Sequence, residues 1–496
     1  MKKKANHPQW ALAQKKPGTE IRCIRGKYYL YECSSFYDKE LKKTRKKTGR
    51  YLGTIVEGRG LVPPRRKQVE IENEEVSAKA AEGQACAPEP KVGQVQEYGL
   101  SAFITEHCRG LIANLKSALP GSWNRVLAMA YCRLRNQSPL KHVKDDFADS
   151  WLSHELGTEG LSARTLTDFM KSLGKDRQGM LSFVRKYARA GGNVILDGTD
   201  LLSASAKMDF PRMSKTKLGG FAEAVNLMMA FSTGMMLPVY YRLLPGNVKD
   251  VTSFLTSIDE FGDSGMTAVC DKGFYSRNNV GELDRRGLKF LIAMRRSTSG
   301  LDYDKLYRHN AEGHFFYAER LIKYTSQTLE GHTVYLYHDA KHAAEEEADY
   351  LRRVDSGKYE DHTMATYKNK APQFGTLAVM VSAGMNAQEA YGTYKTRCEV
   401  EQEIDVLKTD LDALTSYMQD NDRLEAWMFV NFIALHIFYM IRRRIVEKGL
   451  TSKLTTREAL RVLCRQRIVR QDKAWRPAEA SAKDRALLDA LGVSIT

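Results

Sequence analysis

Along the chain the spacing of apolar positions changes several times, and each change predicts a different kind of element. Residues 18–62 carry short apolar runs, Ile21 to Tyr31 and Arg50 to Val56, that predict strands around the segment KELKKTRKKTGR, Lys39 to Arg50, with its seven Lys and Arg residues. Residues 63–97 hold Pro63-Pro64, an acidic run from Glu70 to Glu75 and an Ala/Gly/Pro mixture, the composition of a linker. From 98 to 188 the spacing becomes helical: Phe103, Ile104, Leu111, Ile112 and Leu115 recur at helical intervals, Leu127, Met129, Ala130 and Leu134 continue them, and Thr165 to Tyr187 adds at least one more helix.

At 189 the pattern turns to buried strands. Asn193 to Asp197, Ala222 to Phe231, Leu237 to Leu244, Thr267 to Asp271 and Leu288 to Met294 are short apolar runs, with a helix read from Asn279 to Arg286 between the last two. Strands joined by a helical crossover predict a mixed α/β layer over 189–297. Residues 298–385 read as an inserted, partly β subdomain, with Phe315 to Lys323, Thr333 to His338 and Leu377 to Ser382 extended and Lys341 to Val354 helical. Residues 386–450 return to helix. Their apolar stretch Ala426 to Ile441 is short for a membrane span and contains Asn431 and His436, so it reads as a buried core helix. Residues 451–496, basic early (Lys453, Arg457, Arg461, Arg465, Arg467, Arg470), read as a partly helical tail. No repeat is evident.

Charge adds a partner class. Lys and Arg total 76 against 60 Asp and Glu, a net charge of +16, which favours a polyanion because neutralised phosphates release counterions. The eight cysteines (Cys23, Cys33, Cys86, Cys108, Cys132, Cys270, Cys398 and Cys464) form no CxxC pair, so no zinc site is read from spacing, and scattered thiols suit a reducing cytosol. After Met1-Lys2-Lys3-Lys4 no apolar segment follows, so a signal peptide is not expected.

The candidate chemistry lies in carboxylates. Asp197 and Asp271 each follow an apolar run that reads as a strand, and a carboxylate at a strand's C-terminal end lies at the lip of a sheet, where open α/β proteins bind ligands. Two such groups can share a hard divalent cation, although either can equally cap the turn that follows. Asp200 rivals Asp197, since positions three apart face opposite sides of a strand and only one of them can point into a site. A third element, Tyr394 to Leu411, reads as a single helix. At about 100° per residue, Tyr394, Arg397, Glu401 and Lys408 fall within an arc of about 60°. Val400, Ile404, Leu407 and Leu411 form the adjoining apolar stripe, and Glu399 and Glu403 point to solvent. An ordinary amphipathic helix with internal ion pairs would look the same.

The spacing Tyr394-x2-Arg397-x3-Glu401-x6-Lys408 resembles, without a gap, the YREK signature of DDE transposases of the insertion-sequence-four superfamily. Asp197-Gly198-Thr199 is similar to that family's first acidic block, which favours Asp197 over Asp200, and Ala268 to Tyr275 is similar to the second. Pro245 to Asp250 resembles the loop between them, and GKYYLYECSSFYDKE with RYLG resembles the N-terminal hairpin of the insertion-sequence-1634 branch. The resemblance covers about 190 to 445 well.

It implies an α/β, RNase H-like catalytic core interrupted by a β-rich insertion domain, preceded by a β hairpin unit and a helical, DNA-binding domain. It implies Asp197, Asp271 and Glu401 as catalytic residues and ligands of two Mg²⁺ ions, for which Mn²⁺ can substitute, and Tyr394, Arg397 and Lys408 as DNA contacts. The partners would be double-stranded DNA, as terminal inverted repeats and target, and a second copy of the chain in a DNA-bound homodimer. The setting would be a bacterial cytoplasm, at the nucleoid. By analogy an aromatic of the insertion could stack a flipped base; Phe315, Phe316 and Tyr317 are candidates, though a strand core explains them better. The rival expectations are an RNase H-like nuclease or resolvase without strand transfer, and a non-catalytic DNA-binding regulator.

Overall fold

The computed structural model describes residues 7–24, 26–38, 43–62, 92–188, 192–203, 205, 208–215, 221–246, 256–260, 266–307, 311–357, 361–382, 384–413, 415–416, 418–471 and 474–494. Two compact units divide at residue 90. The first contains a short helix, α1 (Gln9–Leu12), and an antiparallel four-stranded sheet of β1 (Thr19–Ile24), β2 (Lys27–Asp38), β3 (Lys43–Val56) and β4 (Gly60–Val62), in that order. The run read as one strand, Ile21 to Tyr31, is two strands reversing at Gly26, whose φ of 79° suits glycine. Its small core is Ala11, Ile21, Leu30 and Ile55. Of the basic segment, 39–42 lie outside the described residues.

The second unit opens with β5 (Val92–Glu97), so the residues read as the end of a linker form a strand; the rest of that linker, 63–91, lies outside the described residues. The helical stretch follows as α2 (Gly99–His107), α3 (Arg109–Ala118), α4 (Trp123–Asn136), α5 (Val143–Ala148), α6 (Ser153–Leu156), α7 (Ala163–Lys175) and α8 (Arg177–Ala188). Buried apolar positions at three- and four-residue spacing, such as Leu166, Phe169, Met170 and Leu173, give α7 its inward face, and Ser162 caps it by accepting from Thr165 N.

The strands expected over 189–297 are present. They are β6 (Gly192–Ser203), β7 (Arg212–Lys215), β8 (Phe221–Ser232), β9 (Leu237–Pro245), β10 (Met266–Cys270) and β11 (Lys289–Met294), with α9 (Arg277–Arg285) between the last two. β8 pairs antiparallel with both β6 and β9, while β10 is parallel to β6 and β11 parallel to β10. Beyond β11 come α10 (Asp304–Tyr307), β12 (Gly313–Tyr317), β13 (Arg320–Leu329), β14 (His332–Asp339), α11 (Ala340–Ser356), α12 (Met364–Lys370) and β15 (Thr376–Val381). The run Phe315 to Lys323 is therefore a hairpin, turning at Ala318 and Glu319 with φ of 46° and 62°. The subdomain shares the core's sheet: β15 pairs antiparallel with β11, β14 with β15, and β13 and β12 follow outward.

Three helices follow, α13 (Ala387–Lys395), α14 (Cys398–Thr409) and, after the short strand β16 (Thr415–Ser416), the long α15 (Asn421–Glu447). By length and apolar composition α15 could cross a membrane, but almost all of its apolar window is buried by the helical stretch and the sheet, as a core helix requires. The tail is α16 (Thr456–Arg465), β17 (Arg467–Gln471), β18 (Ala474–Pro477) and α17 (Ala482–Leu491). It is not a detached helical tail, because β17 pairs antiparallel with both β5 and β18.

Candidate active site

The site forms where β6 and β10 run side by side. Cys270 is in register with Leu196, so Asp197 and Asp271 are the next residues on two parallel neighbours. β10 stops there because its chain turns, Phe274 N donating to Asp271 O, with Phe274 buried as the anchor. β6 does not stop. It continues six residues past Asp197, paired with β8 (Asp197 opposite Met229, Asp200 opposite Asn226), so Asp197 and Asp200 project from opposite faces of one strand. The expectation that Asp197 ends its strand is thus corrected. Burial first, then the Asp271 and Asp197 carboxylates, push the Cys270 thiol upward, as expected with both acids beside it.

The third acid arrives on a broken helix. The segment expected as one helix over 394–411 is two, with α13 ending at Lys395 and α14 beginning at Cys398. Thr396 and Arg397 keep αR dihedrals, but Arg397 N bonds Tyr394 O, three residues back, which tightens the turn. The apolar stripe is as expected: Val400, Ile404, Leu407 and Leu411 are buried, and α14 packs on β6, β8 and α15. Glu399 does not point to solvent; it ion-pairs with Arg442 of α15 at 2.9 Å. The side chain of Glu403 lies outside the described residues.

Arg397 is the centre of the arrangement. Its guanidinium lies 3.6 Å from Asp271 Oδ2 and 2.8 Å from Glu401 Oε1. Burial opposes its charge, yet Asp271 foremost, then Tyr394, Glu401 and Asp197, hold its pKa above the usual arginine value. Tyr394 OH donates to Asp271 Oδ1 at 3.2 Å. Burial, then Asp271, push that phenol up to about 12, so it keeps its proton at neutral pH. Asp197 Oδ1 accepts from Gly198 N. Lys408 is exposed two turns along α14 from Glu401.

Asp271 and Glu401 therefore pair with one cation, and Asp197 acts on it electrostatically, rather than the three forming a closed coordination cage. Among the described residues, no three His, Cys, Asp or Glu side chains stand close enough to share one metal ion. The donor set itself is all carboxylate oxygen, the kind Mg²⁺ and Mn²⁺ prefer, and it already surrounds a positive group.

Residues that the sequence reading did not single out complete the surroundings. A cavity of about 540 Å³ opens beside Asp271, lined by Lys272, Arg295, Arg296, Glu346, Tyr394 and Arg397, among others. A smaller one of about 240 Å³, sharing Arg296 and Tyr394, reaches Arg320, Asp339 and Lys395. A clue was present: Lys272 follows Asp271, and Arg295-Arg296 follow β11, the strand beside β10. Of the aromatics named above, Phe315 is buried against Tyr391, Tyr317 packs on the same ring, and Phe316 is 69% exposed on an edge strand.

The architecture and site define a mixed α/β protein with acids and cations gathered at the lip of a parallel strand pair. Residues 191–437 match the family described as the transposase DDE domain. Among solved structures it is similar to the piggyBac transposase in its synaptic complex with hairpin DNA, at 10% identity and a TM-score of 0.39, over 74% of this chain and 79% of that one. No curated protein matches it.

Proposed function

We propose that the protein is a DNA transposase of a bacterial insertion sequence, in the insertion-sequence-1634-like branch of the insertion-sequence-four superfamily, that cleaves transposon ends and joins them to target DNA. One observation carries the reading: within a transposase-type DDE domain, acids from three distant parts of the chain, Asp197, Asp271 and Glu401, gather about Arg397. The strand order β9-β8-β6-β10-β11, three antiparallel then two parallel to β6, supports an RNase H-like core, with 298–385 as its insertion.

Asp197, Asp271 and Glu401 would hold two Mg²⁺ ions, or Mn²⁺ in their place. Bound there, such ions supply Lewis-acid chemistry, acidifying the attacking water or 3′-hydroxyl and stabilising the leaving oxygen. The chain's own groups bind and orient. Tyr394, protonated at neutral pH, fixes one oxygen of Asp271 through its hydroxyl. Arg397 offers a planar fork suited to a phosphate, and Lys408 a point charge on the same polar stripe. Lys272 and Arg295 line the neighbouring cavity with positive charge for the backbone of the DNA end, while Arg296 there is paired with Glu346. A homodimer would bridge two ends, at the nucleoid in the cytoplasm.

The test uses the full chain with a labelled, precleaved end and plasmid target. Joined products with Mg²⁺ or Mn²⁺, lost in Glu401→Gln, support the proposal. Nicked target without joined product would make the protein a nuclease. No metal-dependent cleavage, or full activity in Glu401→Gln, would leave a DNA-binding regulator.

A further inference from the structure

The helix that carries Glu401 is held at its far end by the helical stretch that precedes the sheet. Arg133, on α4, is 4% exposed and hydrogen-bonds no carboxylate among the described residues. Its guanidinium instead donates to Leu411 O and Asp412 O, where the chain leaves α14, to Gln137 O and Ser138 O at the end of α4, and to Asn431 Oδ1 on α15. It also stacks over the Trp427 ring at 4.3 Å. Burial lowers its pKa to about 10, with Asp412 opposing, so it stays charged at neutral pH.

The last carbonyls of a helix lack intrahelical partners and carry the negative end of its dipole. The chain makes this exit sharply: Leu411 N returns to Val406 O, Ala413 N to Leu407 O, and Asp412 adopts φ 42°. A buried cation with a rigid fork is suited to hold that turn, and it does so from a second element. Gln137, the left-handed cap of α4, adds donors from Nε2 to Thr409 O and Asp410 O.

We propose that Arg133, assisted by Gln137, is a positioning residue: it clamps the C-terminal end of α14 to α4 and so fixes where Glu401 stands relative to Asp197 and Asp271. The inference rests on the assignment of Glu401 above. Glu401 lies eight positions before Thr409, the last residue of α14, a lever of about 12 Å at helical rise. A tilt of about 5° at the clamp shifts Glu401 by about 1 Å, a displacement that can cost about a hundredfold in rate.

The experiment compares the full chain with Arg133→Lys, which keeps the charge but loses the fork, and with Gln137→Ala, on an exposed side chain. Amide hydrogen exchange is followed together with kcat and KM for cleavage of an end-containing duplex with Mn²⁺. Exchange over 398–409 should quicken at least tenfold in Arg133→Lys and a few-fold in Gln137→Ala, with β6 and β10 unchanged. Values of kcat should fall about tenfold or more and a few-fold respectively, at constant KM. Unchanged exchange over 398–409, or uniform acceleration across the sheet, overturns the clamp. If Arg133→Lys does not fold, Gln137→Ala decides by the same criteria. Absence of cleavage by the wild type would remove the transposase reading, while exchange would still decide the clamp.

Discussion

Removing the charge of Arg397 should tighten divalent-cation binding and at the same time cripple the reaction. The guanidinium now neutralises the groups that a metal would need, at 3.6 Å from Asp271 and 2.8 Å from Glu401. At an effective dielectric near 20, the bare attractions would be about 5 and about 6 kcal/mol. Glu401 is half exposed, so water screens its share to about 0.5 kcal/mol. Asp271 is more enclosed, and a share of about 1.5 kcal/mol is reasonable for a charge-assisted contact. Arg397→Gln therefore frees about 2 kcal/mol of carboxylate charge for a cation, about a thirtyfold fall in Kd. Mn²⁺ titration followed by electron paramagnetic resonance, without DNA, measures it. Arg397→Lys, which keeps a positive charge, should change the Kd by no more than about threefold on the same scale. Cleavage by Arg397→Gln should nevertheless fall by about a hundredfold, because the proposed phosphate contact would be lost. Weaker or unchanged Mn²⁺ binding in Arg397→Gln would refute the reasoning.

Three further outcomes are expected. Asp197→Asn should abolish cleavage in a labelled-end assay while Asp200→Asn retains it, since the two project from opposite faces of β6; equal loss in both would contradict the face assignment. His436 is fully buried among the rings of Phe183, Tyr187 and Phe432, and burial drives its pKa down to about 3. Its folded value lies below the ordinary one, so the unfolded chain binds the proton first; stability is full above about pH 6.5 and declines as pH falls toward 3. His436→Phe should remove about 2 kcal/mol of the loss between pH 7 and 5, read by urea unfolding at both. Finally, a Cβ at Gly174 would lie 1.7 Å from Asp422 O, where α7 meets the start of α15. Gly174→Ala should cost about 3 kcal/mol, checked by the urea midpoint, as overpacking against backbone does.

Much of this protein is legible in order along the chain. The apolar runs ending at Leu196 and Cys270 are strands of one sheet, 98–188 is helical, and Ala426 to Ile441 is a buried helix despite its membrane-like composition. The boundaries that escaped are set by distant partners. Val92–Glu97 is extended because β17, some 370 residues later, pairs with it. Strand β6 continues past Asp197, where the apolar run ends, because β8 keeps pairing with it. The break at Thr396-Arg397 has no proline or glycine to announce it, and there Arg397 faces both Asp271 and Glu401.

The sequence by itself determined which side chains could do chemistry: three carboxylates on apolar scaffolds, and a Tyr, Arg and Lys at fixed helical spacing beside one of them. Local periodicity is enough for this, because the inward face of an element is written in its own residues. Only the tertiary structure decided that the Arg397 guanidinium stands between Asp271 and Glu401, and that a buried arginine from another helix holds the end of α14. The pairs Asp271–Arg397 and Arg133–Leu411 each join residues more than a hundred positions apart. Their geometry follows from sheet register and helix packing, which no short stretch of chain encodes.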